Sequence, residues 1–281
     1  MPVKGACCRL EAGTLRWRQA PNLLQPRYGA VCVTQGSGVV LRIGGWDANH
    51  NRLALVEALE PGAEAWQIRP PLSSGGPTGC GAAAQSDGSV LPYGGARPGQ
   101  GPSARVERLE PATGVLMCTP LPPLLEARSG FASGALADGR VVLAGGYRGE
   151  PALSSAEVYD SAVGVSTALP PMSRARGEVR GAMLTDGHFA VIGGRDGGTY
   201  LSSCEALDLR SNTWHVLPNL SVGCDFHAAI AVGGAVVAAG GRTGVGQRIG
   251  RVEVLDGDGW REVHAAHMPA PASSKTLTAT L

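Results

Sequence analysis

The stretch RVVLAGGYRGEPALSSAEVYD, residues 140–160, decides how this chain is read. An apolar, branched run stops on Gly145-Gly146, a polar loop follows, and Ala156 to Asp160 begins a second short run. Runs of this length, closed by glycine, suit strands buried on both faces. Upstream, GFASGAL (130–136) leads into the turn Ala137-Asp138-Gly139, whose Asp-Gly pair favours a tight hairpin. Downstream, a further strand ends in Leu169-Pro170-Pro171. The unit therefore predicts four short antiparallel strands.

It recurs along the chain. Glycine doublets stand at Gly44-Gly45, Gly94-Gly95, Gly145-Gly146, Gly193-Gly194 and Gly240-Gly241, spaced by 50, 51, 48 and 47 residues. A glutamate follows each doublet by 11 or 12 residues: Glu57, Glu107, Glu157, Glu205 and Glu253. Trp66, Trp214 and Trp260 then mark an outer strand in three copies, and Trp17 marks the same position ahead of the first. Periods of this size are the mark of propellers and solenoids. Paired glycines fit a strand that needs positive φ, or close backbone approach, where a blade tapers towards a central axis. The tryptophans would supply a large apolar face between neighbouring blades.

These motifs (apolar strand, Gly-Gly, Glu-Val-Tyr-Asp, Trp, Leu-Pro-Pro-Met) resemble the Kelch repeat. The likeness covers about residues 15 to 281, with VVLAGGYRGEPALSSAEVYD and FAVIGGRDGGTYLSSCEALDLRSNTWHVLP as its best copies. It implies an all-β Kelch-type β-propeller with five complete four-stranded blades plus an incomplete sixth. Residues 1–14 are left unassigned and 15–23 form a lone outer strand. The blades span about 26–72, 76–121, 127–171, 175–217 and 223–263, and 268–281 form a partial sixth. That sixth would own its inner and outer strands but lack the two between, and bare edges of this kind favour dimerisation. A compact five-blade ring is the competing layout.

Composition bounds the partners. With 24 basic and 23 acidic residues the chain has a net charge of +1, which gives no electrostatic case for nucleic acid or an anionic membrane. No segment reaches the apolar length of a membrane helix, and the opening MPVKGACCRLEAG has no signal-like apolar core. A cytoplasmic or nuclear protein is expected. The seven cysteines (7, 8, 32, 80, 118, 204 and 224) form no Cys-x-x-Cys pair and read as reduced small apolar residues, with Cys7 and Cys8 unexplained. Neither cofactor nor metal is expected.

In Kelch propellers the loops between second and third strands share one face with the loops joining blades, and that face takes the partner. Arginines follow the doublets closely in four copies, at Arg97, Arg148, Arg195 and Arg242. A second series stands 17 residues before the doublet, at Arg27, Arg128 and Arg176, with Pro77 and Gly223 filling the remaining copies. Guanidinium forks converging on a mouth suit a carboxylate-bearing peptide. The resemblance to Kelch adaptors that read acidic degrons adds Ser154 and Ser202, with Ser155 and Ser203 beside them, as matching hydroxyls. These arginines would equally serve by pairing with the repeated glutamates inside the blades. The glutamates themselves read as scaffold, because a catalytic group is not repeated in every blade. The histidines (50, 188, 215, 227, 264 and 267) are scattered. A protein or peptide interaction scaffold without catalytic activity is expected; the alternative is a sugar-binding or mutarotase-type Kelch enzyme on the same face.

Overall fold

The computed structural model describes residues 7–11, 16–72, 75–97, 99–111, 116–244, 247–257 and 259–264. The expected partial blade at 268–281 lies outside them.

Every repeat folds into a four-stranded antiparallel sheet with strands in chain order. A hairpin comes first: β1 (Cys7–Glu11) and β2 (Arg16–Ala20). The first blade is β3 (Val31–Thr34), β4 (Val40–Ile43), β5 (Val56–Leu59) and β6 (Gln67–Arg69). The second is β7 (Gly81–Ala84), β8 (Val90–Tyr93), β9 (Val106–Pro111) and β10 (Leu116–Leu121). The third is β11 (Ala132–Ala135), β12 (Val141–Ala144), β13 (Ala156–Asp160) and β14 (Val165–Leu169). The fourth is β15 (Arg180–Met183), β16 (Phe189–Ile192), β17 (Cys204–Asp208) and β18 (Thr213–Leu217). The fifth is β19 (Ala228–Val232), β20 (Ala235–Ala239), β21 (Val252–Leu255) and β22 (Trp260–Glu262). Successive inner strands β3, β7, β11, β15 and β19 lie side by side, so the blades stand radially as a β-propeller.

The core lies between blades. Because side chains alternate across a strand, Leu143 of β12 packs backwards with Leu91 and Tyr93, while Val142 and Ala144 pack forwards with Val191 and Leu207. All three are fully buried, which explains the unbroken apolar runs before the doublets. The doublets stitch the wedges together. At the third, Gly145 and Gly146 have φ of 69° and 94°, and the Gly146 amide donates to the Arg176 carbonyl of the next blade at 2.8 Å. A Cβ on Gly145 would lie 2.4 Å from that same carbonyl oxygen, so no other residue fits. The amides of Gly45, Gly95 and Gly194 make the equivalent bonds to Pro77, Arg128 and Cys224. Gly44, Gly94, Gly193, Gly240 and Gly241 share the positive φ.

The tryptophans close the outer rim. Trp66, Trp214 and Trp260 donate through Nε1 to the carbonyls of Pro21, Pro170 and Pro218, each in the segment leading in from the preceding strand, at 2.9, 2.8 and 3.0 Å.

The N-terminal expectation is corrected. The strand read as standing alone pairs with β1, from Cys7 opposite Ala20 to Glu11 opposite Arg16. Trp17 of this hairpin packs against Val237, Ala239, Val252 and Val254 of the fifth blade, while the Pro21 carbonyl takes Trp66 of the first. The hairpin thus stands between the last blade and the first. Residues 7–11, previously unassigned, supply a strand that the incomplete blade was expected to lack. Cys32, Cys80, Cys204 and Cys224 form no disulfide, and among the described residues no helix is long and apolar enough to cross a membrane.

Candidate functional site

The two arginine series separate by burial. Arg27, Arg128 and Arg176 are at most 3% exposed, and each forms an ion pair with the glutamate of its own blade, Glu57, Glu157 and Glu205. In the fourth blade, Arg176 Nη2 reaches Glu205 Oε1 at 2.7 Å, and Nη1 reaches the carbonyls of Gly193 and Ser203 at 2.9 and 2.7 Å. The other carboxylate oxygen takes the Ser173 amide from the segment entering the blade. Glu57, Glu157 and Glu253 hold the corresponding segments through Gln25, Leu125 and Ser221. The knot therefore ties strand three, the doublet and the incoming chain at one point. As partner-binding residues Arg27, Arg128 and Arg176 are withdrawn, because a guanidinium enclosed in the blade with its carboxylate is out of a ligand's reach.

Two departures from the repeat refine this. The second blade has Pro77 at the arginine position, and Arg97 reaches Glu107 at 2.9 Å instead, so Arg97 is also structural and only 4% exposed. In the fifth blade the arginine position belongs to Cys224 rather than Gly223, since the Cys224 carbonyl makes the doublet bond that Arg176 makes one blade earlier. Among the described residues no guanidinium meets Glu253, although it is 6% exposed. Burial pushes the Cys224 thiol up to about 12, with Glu253 adding to the effect.

The arginines after the doublets also fail to form one ring. Arg195 and Arg242 directly follow their glycines, whereas Arg97 and Arg148 follow one residue later. With a two-residue side-chain period, that single step reverses the direction. Arg97 turns into its blade and Arg148 is exposed on the outside, while Arg195 and Arg242 share their column with Trp46 and Tyr147. Ser154 and Ser202 are placed away from that column. Their carbonyls hold Met172 and Leu220, and neighbouring Ser155 and Ser203 bond the buried arginines.

The column residues bridge to the strand-one side of the mouth: Trp46 to Tyr28, Ala96 to Thr78, Tyr147 to Ser129, Arg195 to Gly177 and Arg242 to Asp225. The next residues, Gly29, Gly79, Gly130, Glu178 and Phe226, all have positive φ, and backbone hydrogen bonds of 2.8–3.2 Å run from blade to blade at this level, the Gly130 carbonyl accepting from the Val179 amide beside Glu178. Glycine tolerates this conformation, but Glu178 (48°) and Phe226 (51°) are strained by it. Their side chains join Arg195 and Arg242 on one half of the mouth.

There, Arg242 forks onto Asp225 with contacts of 3.2 and 2.8 Å and lies over the rings of Phe226 and Tyr200, 5.1 and 5.9 Å from their centres. Asp225 is fully buried, so this pair is a strut. Arg195 is half-buried, its carbonyl takes the Tyr147 hydroxyl at 3.3 Å, and its Nε has no partner. Among the described residues no carboxylate lies within ion-pair distance of Arg195. The Glu178 carboxylate lies over Gly130, where a Cβ would meet Oε1 at 2.8 Å. Burial pushes Glu178 up, while Arg180, Arg195 and Arg242 pull it back and Asp225 adds to the rise. His227, behind Phe226, is 1% exposed, and burial first and Arg180 second lower it to about 3, so it stays neutral. On the opposite side Trp46 stacks on Tyr28 with Arg52 4.6 Å above it, and the Tyr28 hydroxyl meets His50 Nδ1 at 2.6 Å.

Sequence reasoning passed over Trp46, Tyr147, Glu178, Tyr200, Asp225 and Phe226. Aligning the doublets exposes the column Trp46, Ala96, Tyr147, Arg195 and Arg242, but the strained ring needs backbone angles.

The Kelch motif matches residues 127–173 and 182–221, which cover most of the third and fourth blades. No curated protein matches the chain. The other three blades repeat the same doublet stitch to the neighbouring wedge or the same buried glutamate anchor, so the chain is a five-bladed β-propeller in which two repeats carry the Kelch motif.

Proposed function

We propose that this protein is a non-catalytic interaction scaffold that takes an acidic peptide at the mouth beside Arg195. Kelch propellers are commonly protein-interaction scaffolds, and the scaffold here is built to hold loops rigidly. The observation that carries the acidic preference is Arg195. It is half-buried, has no carboxylate partner among the described residues and is flanked by the phenols of Tyr147 and Tyr200. A guanidinium so placed offers a fork to an incoming carboxylate, with aromatic surface beside it for the ligand's apolar atoms. Arg242 contributes by fixing Phe226 and Tyr200 rather than by binding.

The test is fluorescence anisotropy with a labelled pool of random decapeptides carrying two fixed acidic residues, set against the same pool with the matching amides. The acidic pool should bind better, with an affinity that falls with salt. Arg195→Ala should weaken it by about tenfold, and Arg148→Ala, on the exposed loop, should not. Equal binding of both pools, or binding untouched by Arg195→Ala, overturns the reading. A saccharide that raises the melting temperature while neither pool binds would favour a sugar site instead.

A further inference from the structure

Glu178 stands where the first three blades have Gly29, Gly79 and Gly130, in a conformation that disfavours any side chain. Glycine at this position would keep the same backbone bond, in which the Glu178 carbonyl accepts the Phe226 amide at 3.2 Å. The side chain therefore does nothing for the ring, and it carries strain. Its carboxylate is half-buried and, among the described residues, has neither a hydrogen bond nor an ion pair. Arg180, Arg195 and Arg242 face it together with Asp225, yet none of the three arginines comes within 4.0 Å. Arg180 is occupied by the Val179 carbonyl at 2.8 Å and Arg242 by Asp225. A partly desolvated carboxylate without a donor lacks the bonds that such groups ordinarily make. Beside it, Arg195 is a guanidinium without an acceptor for its Nε.

Resting on the reading that peptides bind at this mouth, we propose that Glu178 is a specificity residue that receives a basic or N–H-donating group of the ligand. The ligand class is then a segment in which an acidic residue and a lysine or arginine stand close together. The acid meets Arg195 and the base meets Glu178. A purely acidic segment would set its charge against Glu178 and lose there part of what it gains at Arg195.

Random heptapeptides displayed on phage, selected in parallel on the wild type, Glu178→Gln, Glu178→Gly and Arg195→Ala, test this. Glu178→Gly restores the residue of the first three blades and guards against a folding defect. The wild type should enrich peptides with an acidic and a basic residue within a few positions of each other. Both Glu178 variants should keep the acid and lose the base. A wild-type-selected peptide should bind Glu178→Gln about tenfold more weakly, and replacing its lysine with norleucine should then cost nothing further. Enrichment of acid alone on the wild type, or tighter binding of acidic peptides by Glu178→Gln, overturns the proposal while leaving the acidic-peptide reading in place. The same sequences recovered from wild type and Arg195→Ala, or no enrichment on any of the four, removes that reading and this proposal with it.

Discussion

Replacing Arg176 with methionine tests whether the ion-pair knots hold the blades together. The side chain is fully buried and its partner Glu205 is 3% exposed. Methionine keeps much of the apolar stem but removes the donors to Glu205 Oε1 and to the Gly193 and Ser203 carbonyls. Breaking a buried pair from one side leaves an uncompensated charge, at a cost of about 3–5 kcal/mol. That is a large part of the total stability of about 5–15 kcal/mol expected of a domain. The Ser173 amide still reaches the other oxygen of Glu205, which places the cost at the lower end of this range. Urea unfolding followed by tryptophan fluorescence reads the loss, with Trp214 reporting from the same blade. Removing both charges, in Arg176→Met with Glu205→Met, should cost less than the two single changes added together, because no bare charge remains. Exposed Arg148→Ala should stay within about 0.5 kcal/mol of wild type. A loss below about 1 kcal/mol in Arg176→Met, or strict additivity of the pair, would refute the knot.

Two further outcomes follow from departures inside the repeat. Glu205→Gln leaves Arg176 charged and enclosed and should cost about 3 kcal/mol, whereas Glu253→Gln leaves no guanidinium bare and should cost less than about 1 kcal/mol; equal losses in urea unfolding would mean that Glu253 has a cationic partner. His227 gives the protein an acid sensitivity: unfolded it takes a proton near 6.5, folded only near about 3, so protons favour the unfolded chain as pH falls through that window. Between pH 7 and pH 5 this amounts to about 2 kcal/mol lost. Glu178, whose carboxyl is pushed up, works in the opposite direction. Comparison with His227→Phe, the residue that Phe131 provides at this slot in the third blade, isolates the histidine, and parallel pH curves for the two proteins would dismiss it.

The fold was legible because the doublets are a steric requirement that only glycine meets, so it repeats with the blades. The knots were half legible. Arginine and glutamate recur at fixed distances, but whether a guanidinium points into a blade or towards a ligand depends on side-chain direction, which a one-residue step reverses. Arg97 and Arg195 look alike in sequence and do opposite things for that reason. The fifth blade misled for a different cause. Its hairpin turn at Gly233-Gly234 is one residue shorter than in the other blades, which moves the arginine position from Gly223 to Cys224. The hairpin before the first blade hid because CCRLEAGTLRWRQA follows the pattern of VERLEPATGVLMCTPL while carrying Cys8 where the glutamate belongs, with no doublet ahead of it.

Repetition identifies scaffold and departure from it identifies function, and the physics behind that rule is specific here. A residue that recurs from blade to blade is one that the wedge geometry uses, so its chemistry is already committed: the doublet amides to strand three and to the next blade, the three buried arginines to their glutamates. Free chemistry can remain only where one blade differs from the rest. Glu178 and Phe226 differ from three glycines at a strained backbone position, and Arg195 and Arg242 differ from Trp46, Ala96 and Tyr147 in the column beside them. All four fall in the fourth and fifth blades. Independent drift would scatter such departures around the ring; their concentration on one half of the mouth, at a cost in backbone strain, is what a single off-axis ligand would select.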